Sequence, residues 1–193
     1  MPSKVYFGTA RQSRLEAKET LPAKLDLILE KLQVRARVKD EMVAIKMHTG
    51  NNIGYSTVHP VFVRRVVQAV KDGGGKPFIA DVNWDVAGAE TRGYTQEALG
   101  CPIYPVAGPD EKYFYEYEKP FKSIKKWKLA GMIHDATFLI NFSHVKGTHP
   151  AVLVRPLRIW HWVAWLVKPA GKCIIPCTSI SIGSPKNVPT RRS

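Results

Sequence analysis

Residues 42–82 read MVAIKMHTGNNIGYSTVHPVFVRRVVQAVKDGGGKPFIADV, and the fold is decided there. The two ends of this stretch, Met42 to His48 and Pro77 to Val82, are short apolar runs without clean polar alternation, the pattern of strands buried on both faces of a parallel sheet. Between them, Thr57 to Asp72 repeats apolar residues at helical spacing, with Phe62, Val63, Val66, Val67 and Val70 on one face. Gly73, Gly74 and Gly75 end that helix. A strand, a helix and a second strand in this order form a βαβ unit, because parallel strands need a crossover between them.

Working outward, Glu19 to Leu32 predicts a helix from Leu21, Leu25, Ile28, Leu29 and Leu32, with Thr20 as its cap and Pro22 in the tolerant first turn. Lys4 to Thr9 predicts a first strand. Downstream, Asp85 to Tyr94 reads as loop, Thr95 to Leu99 as a short helix and Pro102 to Ala107 as an extended piece. Lys112 to Lys126 reads as irregular or hairpin-like, Lys128 to Asp135 as helix, and Thr137 to Val145 as another buried strand. The expected fold class is therefore α/β, a mostly parallel sheet with helices on both faces.

With 193 residues the chain is long enough for one well-buried domain. Its 45% hydrophobic and 23% charged content is that of a soluble protein. No run approaches the roughly 18 uncharged apolar residues of a membrane span, and the amino terminus has no apolar signal core, so the expectation is cytoplasmic with no membrane partner. Three cysteines, Cys101, Cys173 and Cys177, make no even disulfide framework. A ferredoxin-type cluster needs about four thiolates, so the expectation is that this chain holds no such cofactor itself.

The net charge of +13 is unevenly spread. Ala151 to Ser193 holds Arg155, Arg158, Lys168, Lys172, Lys186, Arg191 and Arg192 with no Asp or Glu, and three of the five tryptophans, Trp160, Trp162 and Trp165. The rest of the chain carries an unexceptional excess, which argues against nucleic acid as a partner.

In a parallel sheet the carboxyl ends of the strands share one edge, where open α/β folds bind their ligands. Lys46 and His48 close the second expected strand, Asp81 and Asn83 the third, and His144 and Lys146 the last. His48 and His144 are the candidate catalytic groups, suited to proton transfer near neutral pH. Lys46, Asp81, Asn83 and Lys146 are the candidate ligand-binding groups. His48, His144 and Asp81 also have the residue types of a two-histidine, one-carboxylate metal site, but no local ligand spacing supports it and two lysines would repel a cation. The preferred reading is a small anionic ligand with no metal. The triple glycine follows a helix and matches no phosphate-loop pattern, and His59 beside Pro60 at a helix start reads as a capping or surface residue rather than a ligand.

Three segments in order, VAIKMHTGNN at 43–52, ADVNWDVAGAETRGY at 80–94 and FLINFSHVKG at 138–147, resemble the DUF362 family, over roughly residues 3 to 149. The resemblance implies a domain of no settled activity, often joined to a ferredoxin-like module with two 4Fe–4S clusters. A full-length parent would then carry such clusters and an electron-transfer partner, neither of which this chain supplies. After the Lys146–Gly147 pair the chain departs from the family's continuation. Loss of one base near the Gly147 codon would account for this, because Trp160, Trp162 and Trp165, each encoded by TGG, would then supply the TG endings of family Leu, Leu and Val codons; the alternative is a natural basic tail. The expected organisation is a DUF362-like domain over 1–147 and an out-of-frame, poorly ordered tail over 148–193, leaving the fold incomplete at its carboxyl end.

Overall fold

The computed structural model describes residues 4–118, 127–144 and 181–183. After a 3-10 turn at Ala17–Glu19, the chain forms α1 (Leu21–Lys31), α2 (Val34–Arg37), β1 (Met42–Lys46), α3 (Pro60–Asp72), β2 (Lys76–Asp81) and α4 (Asn83–Val86). A second 3-10 turn, Ala89–Arg92, leads to α5 (Gln96–Leu99), β3 (Ile103–Pro105), β4 (Phe114–Tyr117), β5 (Trp127–Ala130), α6 (Gly131–Asp135), β6 (Phe138–Asn141) and β7 (Ser181–Gly183).

Five strands make one sheet in the order β3-β2-β1-β6-β7. The first four are mutually parallel and β7 runs antiparallel to β6. From β1 the chain steps to β2 and β3 on one side and then returns to place β6 on the other. This reversal beside β1 is the topological switch at which open α/β sheets leave a crevice. Lys46 at the end of β1 pairs in register with Ala80 of β2 and Asn141 of β6, so three strands finish level with one another.

Local chemistry sets the helix ends. Thr20 accepts from the Ala23 amide at 3.5 Å at the start of α1, and the His59 ring accepts from the Val61 amide at 3.3 Å at the start of α3, the capping place expected for it. At Gly73, a Cβ would lie 2.5 Å from the Arg35 carbonyl oxygen, so the turn after α3 packs against α2 only with glycine there.

Alternation along the strands divides the core. Val43, Ile45, Ile79 and Ile140 pack with Val63, Val66, Val67 and Val70 of α3 and Leu29 of α1. Ala44, Phe78, Ala80 and Leu139 pack on the opposite face with Ile133 of α6, Ala130 of β5 and Phe114 of β4. Each large aliphatic side chain buried this way contributes about 1.5–3 kcal/mol. The parallel sheet is thus flanked by helices, α6 sharing its face with the β4–β5 ribbon.

Three local expectations change. Lys4 to Thr9 forms no ladder among the described residues; Lys24 ties it to α1 by bonds to the Thr9 and Arg11 carbonyls at 2.9 and 2.7 Å. Val5 and Phe7 stay exposed, so no burial offsets the ordering of a strand. The stretch expected as one helix at Lys128 to Asp135 splits into β5 and α6, because the β5 backbone pairs with β4 and the Tyr113 ring packs where a Gly131 side chain would stand. The loop expected at Asp85 to Tyr94 contains the end of α4 and a 3-10 turn. Among the described residues no helix is long and apolar enough to cross a membrane.

Candidate functional site

β1 and β2 deliver Lys46 and Asp81 to the carboxyl edge of the sheet, where both side chains are sealed from solvent. The Lys46 ammonium donates to Asp81 Oδ1 at 2.7 Å and to the Met47 carbonyl at 2.9 Å. Oδ1 also accepts from the Val82 amide at 2.9 Å, while Oδ2 accepts from the Thr49 amide at 2.7 Å; the Thr49 hydroxyl, 3.0 Å from Oδ2, has its single proton closer to the Asp85 carbonyl, to which it donates at 2.6 Å. An ionised carboxylate offers about four acceptor positions. Three of them are filled here by the Lys46 ammonium and the Val82 and Thr49 amides.

His48 follows β1 and is half-buried. Its Nδ1 lies 3.1 Å from Asp85 Oδ2 in α4 and 3.7 Å from Asp81 Oδ2. Burial alone would lower the imidazole pKa, but hydrogen bonding to Asp81 and Asp85 and the charge of both outweigh it and raise His48 above its ordinary value. Burial works against the charged form of Asp81 as well. The Lys46 charge, with the bonds from His48, Lys46 and Thr49, overrides it and holds Asp81 down to about 2.

A second set of bonds holds the loop that carries His48 away. Arg92 donates to the Thr49 carbonyl at 2.6 Å, the Asn51 carbonyl at 2.8 Å and the Thr57 hydroxyl. Its guanidinium stands 5.2 Å over the Tyr94 ring, and the Tyr94 hydroxyl bonds Thr57 and the Val58 carbonyl. Asn51 closes the loop onto α4 by bonds to the Trp84 and Asp85 carbonyls at 2.6 and 2.8 Å.

Of the residues expected at the site, Lys46, His48 and Asp81 come together, but Lys46 and Asp81 bind each other rather than facing outward. Asn83 turns aside, its amide donating to the Pro109 carbonyl at 3.2 Å. His144 is exposed beyond the end of β6. Lys146 lies outside the described residues. Asp85, Thr49 and Arg92 are site residues that sequence reasoning missed; the one available signal was the spacing of two aspartates four residues apart in DVNWD, directly after a buried strand.

His48, Asp81 and Asp85 place one donor atom each within 4.8 Å of one another, close enough for one metal ion. The surrounding chemistry opposes it. A cation would have to share Asp81 with the Lys46 ammonium 2.7 Å from its Oδ1 and with the Thr49 amide on its Oδ2. What the arrangement does without rearrangement is hold an imidazole by Nδ1, leaving Nε2 as its second proton-exchanging atom.

The family model described as Domain of unknown function (DUF362) matches residues 43–153, more than half the chain. The chain belongs to the DUF362 family. The matched stretch begins inside β1 and carries every residue of the site just described, so Lys46, His48, Asp81, Asp85 and Arg92 are all part of the DUF362 domain. No curated protein and no solved structure matches the chain.

Proposed function

We propose that this DUF362 domain binds a small anionic molecule at the carboxyl edge of its sheet and exchanges a proton with it through His48. The observation that carries this reading is His48 Nδ1 at 3.1 Å from Asp85, with Asp81 behind it already committed to Lys46 and Thr49. A carboxylate against Nδ1 fixes the ring and its tautomer, and a raised pKa keeps a fraction of His48 cationic near neutral pH, where it attracts an anion. Lys46 and Asp81 are positioning residues in this reading.

Histidine proton NMR tests it with acetate and inorganic phosphate as probes. Saturable binding should raise the His48 midpoint further, and His48→Gln should abolish the response. A His48 midpoint indifferent to both anions at tens of millimolar would overturn the reading.

The family resemblance supports a wider proposal: the complete protein passes electrons through 4Fe–4S clusters held outside this chain. Cys101 is buried and its thiol is pushed up to about 11 by burial, which suits a packed side chain rather than a cluster ligand. We also read the residues after about Gly147 as out of frame, on the strength of their composition and of the fit of Trp160, Trp162 and Trp165 to family codons in the neighbouring frame. Within them Ser181–Gly183 forms β7, and the rest lies outside the described residues. Sequencing the encoding DNA decides it: an intact gene with no family-like sequence in the neighbouring frame removes this proposal.

A further inference from the structure

We propose that the buried Thr49 hydroxyl sets the Asp85 carboxylate against His48, which makes Thr49 a positioning residue of the site. The inference rests on the reading of His48 as the proton-exchanging group, but its test reads the ring without any anion.

α4 does not place Asp85 unaided. It is a single turn with no side-chain cap on its first amides and no buried residue of its own. A helix this short is unstable by itself, and packing into the core does little to fix it. Polar bonds hold it instead. Asn83 donates to the Pro109 carbonyl at 3.2 Å on one side. On the other, the loop after β1 grips Trp84 and Asp85. Asn51 donates from its side chain to the Trp84 carbonyl at 2.6 Å and from its amide to the Asp85 carbonyl at 2.8 Å, and the Thr49 hydroxyl donates to that same Asp85 carbonyl at 2.6 Å.

Thr49 is the firmest of these anchors. It is sealed from solvent, and each of its polar groups is bonded: the amide to Asp81 Oδ2 at 2.7 Å, the carbonyl to Arg92 at 2.6 Å and the hydroxyl to the Asp85 carbonyl. One residue, next in the chain to His48, thus joins the end of β1 to Asp81, Arg92 and Asp85.

The Asp85 carbonyl and carboxylate belong to one residue, so a bond that fixes the first limits where the second can stand. Asp85 Oδ2 lies 3.1 Å from His48 Nδ1, while Asp81 Oδ2 lies 3.7 Å away with Lys46 behind it. A hydrogen bond from nitrogen to oxygen spans about 2.7–3.2 Å, so Asp85 has little distance to lose. A small shift of α4 would leave His48 without its nearer partner.

Two NMR measurements on the full chain test this. A hydroxyl proton sealed from water exchanges slowly enough to observe, and the expected result is a through-bond coupling from the Thr49 hydroxyl proton to the Asp85 carbonyl carbon. Coupling to the Asp81 carboxyl carbon, or a proton that exchanges too fast to see, would overturn the inference. The second measurement is the His48 ring midpoint in variants. Thr49→Val removes the hydroxyl while keeping the amide on Asp81 and the carbonyl on Arg92. It should lower the midpoint by about 0.5, Thr49→Ser should restore it, and in an Asp85→Asn background Thr49→Val should have less than half that effect. An unmoved midpoint would overturn the inference. So would an equal fall in Thr49→Ser, since methyl packing would then be responsible, or an undiminished fall in the Asp85→Asn background, since Asp81 would be. The coupling needs no variant, so it decides even where Thr49→Val fails to fold. Neither measurement uses an anion: a His48 indifferent to acetate and phosphate removes the binding reading alone, and a failure here leaves that reading standing.

Discussion

The Lys46 ammonium lies 2.7 Å from Asp81 Oδ1, and both groups are buried at the end of adjacent parallel strands. Neither charge meets solvent, so each depends on the other. A buried pair of this kind adds little over an apolar pair, yet losing one member strands the other. Lys46→Met should therefore lower stability by about 3–5 kcal/mol, read as a fall in the urea midpoint at pH 7. An unchanged midpoint would mean that the carboxylate is not committed to Lys46.

The same pair makes a prediction about acid. Asp81 is held down to about 2, below its unfolded value, so its contribution is complete above the unfolded pKa near 4 and is lost as pH falls through 2. A depression of this size is worth on the order of 2 kcal/mol. Urea midpoints measured from pH 5 to pH 2 should drop more steeply in the natural chain than in Asp81→Asn, whose own stability is lower throughout. Parallel slopes in the two proteins would contradict the assignment.

His48 runs with the opposite sign. Its pKa is raised in the folded state, so the stabilisation is fully present below the ordinary imidazole value and is lost as pH rises through the higher folded one. The His48 midpoint should lie above about 6.5 and fall in Asp85→Asn, which keeps the shape and removes the charge 3.1 Å away. NMR titration of the ring protons reads both. A midpoint that Asp85→Asn leaves in place would assign the shift to Asp81 alone.

Much of this was legible in the chain itself, for a physical reason. β1, β2, β6 and α3 announce themselves because burial on both faces of a sheet, or along one stripe of a helix, demands apolar residues at fixed spacing. Lys46 and Asp81 were found as polar groups at the ends of such runs. Asp85 was not, because its meaning depends on His48, 37 residues earlier, and the stretch around it has no apolar period. Arg92 was missed likewise, since its acceptors are backbone carbonyls, which leave no mark on composition. Lys4 to Thr9 failed in the other direction: its local pattern suits a strand, but a strand exists only where a neighbour accepts its hydrogen bonds.

Arg92 supplies the last prediction. Its bonds to the Thr49 and Asn51 carbonyls fix the loop on both sides of Gly50, which sits at φ +76° with the Thr57 methyl and the Gly54 backbone close by. A charged donor contributes about 1.5–3 kcal/mol per buried hydrogen bond, and a half-buried one less. Arg92→Met retains the apolar stem, so it should cost about 1–3 kcal/mol while leaving the sheet intact. Its signature is local. Amide exchange should quicken across residues 49–58, and the His48 midpoint should move toward that of a free imidazole as the loosened loop carries the ring away from Asp85, 3.1 Å from its Nδ1. Added guanidinium ion, which fits the vacated position, should restore part of both effects. Exchange that quickens uniformly over the sheet would instead show that Arg92 supports the whole fold rather than the loop beside His48.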